Sequence, residues 1–117
     1  MYLSQKYNLP IRAENKDMEQ LFKNNHIRHN MNMIQDFYNL DIAQITPKKL
    51  ISLLQYAIDN HWDSCTFALH PAYVDQTLLD LSSYNIQRAK EFASLTDSTV
   101  IQFIKDNNIE TISFLDV

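Results

Sequence analysis

The chain of 117 residues contains no glycine. Average usage of about 7% would place about eight in a chain this long. Loops that press backbone amides onto phosphate need glycine at fixed positions, as do dinucleotide-binding turns and nucleophile elbows, so none of these motifs is present. Left-handed backbone at helix ends then falls to asparagine, the next most tolerant residue. The pairs Asn24-Asn25 and Asn107-Asn108, together with Asn60, are therefore read as helix stops.

The length suits one domain over residues 1–117, able to bury about 65% of its unfolded surface without staples. One cysteine makes no internal bridge, no basic region leads into an apolar run, and no stretch approaches the ~18 apolar residues of a membrane span. These features predict a soluble cytoplasmic protein with no membrane association. Fourteen acidic against ten basic side chains give a net charge of −4. Without any cluster of Lys or Arg, nucleic acid is disfavoured as a partner, because phosphate electrostatics supply most non-specific affinity.

The pattern along the chain predicts a mainly α fold of short antiparallel helices stacked as αα-hairpins, with one short strand in the C-terminal tail. The arm 1–10 ends at Pro10. From Lys16, the residues Met18, Leu21 and Phe22 form a helical face. Ile27, Met31, Ile34 and Tyr38 recur at i, i+4, i+7 and i+11, within one arc of a helix. One long helix over 16–40 and two helices broken near Asn25 fit equally. Thr46-Pro47 is a clear start, a hydroxyl cap followed by proline at the first helical position. Leu50, Leu54, Ala57 and Ile58 then share a face, with Ser52, Gln55, Tyr56 and Asp59 on the other. His70-Pro71 marks a break. Val74, Leu78 and Leu81 begin a further helix, Ile86, Ala89, Phe92 and Ala93 form another, and Thr96 or Asp97 caps the last, which stops at Asn107-Asn108. The tail "ETISFLDV" alternates partly, as a strand would.

"DNHWDSC" (59–65) gathers a histidine, two carboxylates and the chain's cysteine, with His70 close behind. Histidine and thiolate are ligands zinc prefers. On a helix, however, His70 lies about 180° from His61, and on a strand it faces away from both His61 and Cys65. No metal site and no cofactor are expected. A nucleophilic Cys65 is disfavoured by Asp59 and Asp63, which would raise its pKa. Trp62 and Cys65 are read as packing residues, and His26 and His29 as half-buried ones.

The run "LLQYAIDNHWDSCTFAL" (53–69), read as two helices about a tight turn at Asn60-His61, resembles the core of an ankyrin repeat. Leu54, Ala57, Asn60 and His61 stand in the family's order, with its glycine missing. "LFKNNHIRHNMNMI" (21–34) echoes the run through Asn25-His26-Ile27, while "TLLDLSSYN" (77–85) and "DSTVIQFIKDNNI" (97–109) are similar to a first and a second repeat helix. The resemblance implies protein binding through turn tips and exposed first-helix faces. The expected site is then Ser52, Gln55, Tyr56, Asp59 and Asp63, with Tyr56 as aromatic anchor.

With no catalytic constellation, the expected function is that of a non-enzymatic, acidic interaction module. An inhibitor, antitoxin or immunity-type protein that neutralises a basic protein partner fits that description. The alternative is a DNA-binding regulator, because "FASLTDSTVIQFI" (92–104), within residues 86–107, resembles the turn and recognition helix of helix-turn-helix domains. Asp97 and Asp106 on that helix would repel phosphate.

Overall fold

The computed structural model describes residues 1–38 and 40–117. Among these, six helices run in the order α1 (Tyr2–Tyr7), α2 (Lys16–Asn24), α3 (Pro47–Asp59), α4 (Gln76–Leu81), α5 (Ile86–Leu95) and α6 (Ser98–Asp106). Two short strands, β1 (Met33–Ile34) and β2 (Thr66–Phe67), pair in parallel, Met33 with Thr66 and Ile34 with Phe67. A further parallel bridge joins Ile11 to His29. The mainly helical content matches expectation, but α2 and α3 follow one another through β1, and α3 reaches α4 through β2. Parallel neighbours need a crossover, and helices supply it. Among the described residues, α4 and α5 follow each other across four residues and α5 and α6 across two.

Helix starts follow the capping chemistry. The Thr46 hydroxyl accepts from Lys49 N at 3.2 Å ahead of Pro47, and Asn15, Asp75 and Asp97 cap α2, α4 and α6 through their side chains.

Helix ends show how a chain without glycine stops. Asn25, Asn60 and Asn107 terminate α2, α3 and α6 with right-handed backbone. It is the following residue, His26, His61 or Asn108, that takes φ of 54°, 53° or 52°. In each case that residue's N–H and the next one's reach back into the last turn: His26 to Lys23 O and Ile27 to Phe22 O, His61 to Ile58 O and Trp62 to Ala57 O, Asn108 to Lys105 O and Ile109 to Ile104 O. This is a Schellman ending, and it sets an apolar residue against the helix it has just left. Each asparagine amide also donates to the carbonyl four residues back, at 2.8, 2.8 and 2.9 Å. The echo of Asn60-His61-Trp62 at Asn25-His26-Ile27 is thus a shared stop signal.

Both segments read as second helices after those stops are extended. Residues 27–34 run beside 11–13 and then enter β1, and residues 61–65 lead into β2. From 30 to 34 burial alternates, with Asn30, Asn32 and Ile34 inside. Asn30 accepts from Ala13 N at 2.6 Å and donates to Ala13 O at 3.0 Å, standing in for a strand's backbone pairing. The Asn32 N–H donates to the nearly buried Glu19 carboxyl at 2.8 Å, and its side chain bonds Lys16 and Ser64 O. The tail, expected as a strand, instead ends in a 3-10 turn over Phe114–Asp116, capped by Ser113.

The main core gathers Ile34, Phe37, Ile45, Leu50, Leu53 and Val100, so α3 packs against α5 and α6 and Ile34 of β1 joins the same cluster. Trp62, Cys65, Phe67 and Leu69 pack at its border. A second cluster of Ala13, Phe22 and Ile27 seals α2 against the first extended run.

Candidate functional site

Strands β1 and β2 point the same way, so the residues that follow them emerge side by side. Tyr38 follows β1 and His70 follows β2. In open α/β sheets this carboxyl end is where ligands bind. The Tyr38 and His70 rings lie 4.6 Å apart, and Tyr84, just before α5, closes the group at 5.3 Å from Tyr38 and 6.2 Å from His70. Tyr38 and His70 are exposed and Tyr84 is half-buried.

Beneath the rings lies Glu91 of α5, with 0% exposure. One carboxyl oxygen accepts from the backbone N–H of His70 at 2.5 Å, and the other accepts from the Tyr84 hydroxyl. The His70-Pro71 break gives this bond its opportunity, since the bend turns the His70 amide away from any ladder partner and toward α5. Arg88, one turn earlier on α5, donates from Nε to Tyr84 O at 2.7 Å and from Nη1 to His70 O at 3.2 Å. Its guanidinium also sits 5.5 Å from the Tyr84 ring centre. The backbone of His70 is therefore held at both its N–H and its C=O by one helix, while its imidazole stays open to solvent. Ala72 N adds a bond to Arg88 O at 3.3 Å.

The site offers aromatic faces for packing and the Tyr38 hydroxyl and the imidazole for hydrogen bonds, and imidazole is the side chain suited to proton transfer near neutral pH.

Most of these residues were missed from sequence. Tyr38, Tyr84, Arg88 and Glu91 carried no motif, and His70 entered as half of the His70-Pro71 break and as a possible ligand beside His61 and Cys65. In the structure His61 forms the left-handed stop after α3, Cys65 is half-buried at the core border, and His70 belongs to the aromatic group. Burial raises the Cys65 thiol above its ordinary pKa. Among the described residues no three or more His, Cys, Asp or Glu side chains converge as a metal site would. A signal for Glu91 does exist, a lone carboxyl on the amphipathic α5, but the periodicity points to Ile86, Ala89, Phe92 and Ala93 as the inward face. Glu91 and Ser94 are the buried residues of that helix.

Ser52, Gln55, Tyr56 and Asp59 do share one side of α3, with Asp63 just beyond its end. Their bonds are local: Ser52 donates to Lys49 O, Gln55 to Asp59, and Tyr56 meets Trp62 edge-on at 5.4 Å. No bond among the described residues ties them to the His70 group.

No protein-family model matches the chain. A carbohydrate deacetylase of Clostridium beijerinckii is 40% identical over 116 residues, which cover 98% of this chain and 44% of that protein. One from Thermoanaerobacter pseudethanolicus is 36% identical over 107 residues, 92% of this chain and 40% of the relative. Among solved structures, an Enterococcus faecalis protein described as a cellobiose-phosphate cleavage protein superposes with a TM-score of 0.82 at 25% identity, over 97% of this chain and 43% of that one. The chain thus spans less than half the length of these proteins. The relatives overturn several expectations. None is an ankyrin repeat, an inhibitor, an antitoxin, an immunity protein or a DNA-binding regulator. The relatives carry enzyme names where a non-enzymatic module was expected, and those names give a carbohydrate as what the relatives act on, where a basic protein partner was expected. The turn shared by Asn25-His26 and Asn60-His61 accounts for the ankyrin resemblance.

Proposed function

We propose that this chain supplies the sugar-recognising wall of a carbohydrate deacetylase, with Tyr38, His70 and Tyr84 facing an acetylated sugar. The observation that carries this reading is an exposed imidazole at the carboxyl ends of parallel strands, tilted against Tyr38 at 4.6 Å and edge-on to Tyr84 at 6.2 Å, in a chain 40% identical over 116 residues to a carbohydrate deacetylase. In deacetylation, water adds to the acetyl carbonyl, the bond from that carbon to the sugar heteroatom breaks, and acetate departs. The heteroatom left on the sugar needs a proton. His70 donates it, while Tyr38 and Tyr84 hold the ring, and Glu91 and Arg88 act as positioning residues by fixing the His70 backbone. No helix among the described residues is long and apolar enough to cross a membrane, and the lone Cys65 suits a reducing cytoplasm, where this reading places the protein.

The test uses the C. beijerinckii relative with its matched stretch exchanged for this chain. Acetate release from an acetylated disaccharide is compared with that of the His70→Gln form. Removing a general acid costs about 10²–10⁴-fold in rate, so kcat should fall by about that factor with KM little changed. Equal rates in the two forms would sink the assignment of His70.

A further inference from the structure

After β2 the chain passes from an apolar setting to a polar one. Leu69 lines an open groove of about 570 Å³, whose other walls include Cys65 and Phe67, Leu54 and Leu95 of the helices, and the tail from Ile109 to Phe114. His70 then joins the aromatic group, and the residues beyond it are laid along α5. The His70 N–H donates to Glu91, its carbonyl accepts from Arg88, and the Ala72 N–H donates to the Arg88 carbonyl. This run ends at Tyr73, whose ring rests on Phe92 with the centroids 4.8 Å apart and the planes tilted by 47°. Tyr73 is nevertheless 80% exposed, while Phe92 is half-buried. One face of the tyrosine ring is backed and the other is open.

Singly exposed tyrosines are ordinary, and Tyr2, Tyr7 and Tyr56 are others in this chain. Tyr73 differs in where it is held. Arg88 and Phe92 stand four apart on α5, so they share a face of the helix and lie one turn, about 5.4 Å, from each other. Arg88 carries the Tyr84 ring, whose centre is 5.5 Å from the guanidinium, and Phe92 carries the Tyr73 ring. Chain length keeps the two platforms close as well, since the three residues from His70 to Tyr73 span at most about 10 Å. We propose that Tyr73 is a specificity-determining residue, whose open face takes the sugar ring linked to the acetylated one, so that the site reads two joined rings. This rests on the reading of the His70 group as a sugar site. A pyranose presents a C–H face that an aromatic ring can bury, and the Phe92 backing orders the Tyr73 ring beforehand, so that little freedom is lost on binding.

The experiment titrates the isotopically labelled chain with N-acetylglucosamine and, separately, with the N-acetylated disaccharide of glucosamine. The disaccharide should shift the ring signals of Tyr73 and Phe92 together with those of Tyr38, His70 and Tyr84, and the monosaccharide should shift the latter three alone. Tyr73→Ala should weaken disaccharide binding about threefold to tenfold, the range for one aromatic contact, and leave the monosaccharide's affinity unchanged. Tyr73→Phe, which keeps the packing on Phe92, should bind both sugars as the native chain does. Shifts at the His70 group with Tyr73 silent would overturn the proposal and leave the sugar reading standing. So would an equal loss for both sugars in Tyr73→Ala, which would mean that the ring pair only supports the fold. No shift at the His70 group with either sugar would overturn the proposal and the sugar reading together.

Discussion

The His70 group and the groove are fed by the same strand, Leu69 lining the groove and His70 entering the aromatic cluster, yet they differ in how they are finished. Around His70 the rings, two exposed and one half-buried, rest on a buried carboxyl whose two oxygens both accept bonds, and the backbone is fixed from the same helix. In the groove the walls are mostly apolar, with Ser64, Thr66, Glu110 and Thr111 among them, and no side chain of the described residues fills the space between them. A polar site has to be satisfied within the chain, because a buried donor or acceptor without a partner costs free energy at once. An apolar wall tolerates exposure at a milder cost, so it is where a fold can stay open.

The comparison breaks most directly at Glu91. Glu91→Ala removes the carboxyl that accepts from the His70 N–H and from the Tyr84 hydroxyl, and at about 1–3 kcal/mol for a buried donor that loses its acceptor it should cost about 2 kcal/mol, measured by urea denaturation. Glu91→Gln, which keeps an acceptor, should recover about half of that. A loss below about 1 kcal/mol for the alanine form would mean that the site is not self-supporting.

Asn30 is next. Asn30→Ala leaves the N–H and C=O of the fully buried Ala13 without partners, and should cost about 2 kcal/mol. By contrast, Ile112→Ala in the groove wall should stay within about 0.5 kcal/mol in the isolated chain, as for other surface changes.

His61→Gly probes the stop signal that lies outside both regions. Relieving a non-glycine residue at φ 53° should stabilise the chain by up to about 1 kcal/mol, less what glycine adds to unfolded-state entropy. A clear loss of stability would show that the His61 side chain has another role.

The smallest effect concerns the tail. Hydrogen bonds from Ser113, first its side chain and then its backbone, hold the Asp116 carboxyl below its ordinary pKa of 3.8, with Arg28 adding to the effect. A depressed folded pKa means that the contribution is present above the ordinary carboxylate range and is lost as pH falls through the folded value. Acidification from neutral should therefore release the 113–116 turn before the core unfolds, seen as loss of the Ser113 amide's distinct chemical shift. The Asp116→Asn form should show little such change.

Caps were the most legible part of the fold. Thr46-Pro47, Asp97 and the three Asn-led stops act through side chains bonding their own neighbours, so the sequence carries the whole signal. The extended run 27–34 was illegible because two of its buried alternating positions are Asn30 and Asn32. Asparagine reads as surface, and the apolar residues left over, Ile27, Met31, Ile34 and Tyr38, happen to repeat at helical spacing. Strand β2 is two residues long and takes its identity from β1, 33 residues earlier, which no local pattern records. The His70 group was missed for a related reason. Tyr38, His70, Tyr84 and Glu91 meet only because two strands run parallel, and a reading built on consecutive helices placed them apart.

The central claim, that the aromatic group recognises a sugar, is tested most directly by titrating the isotopically labelled chain with the N-acetylated disaccharide of glucosamine and, separately, with unacetylated cellobiose. The account predicts saturable NMR shifts at the Tyr38, His70 and Tyr84 rings, stronger for the acetylated sugar and lost in Tyr38→Ala. Shifts confined to other surfaces, or none at all in a folded chain, would contradict it.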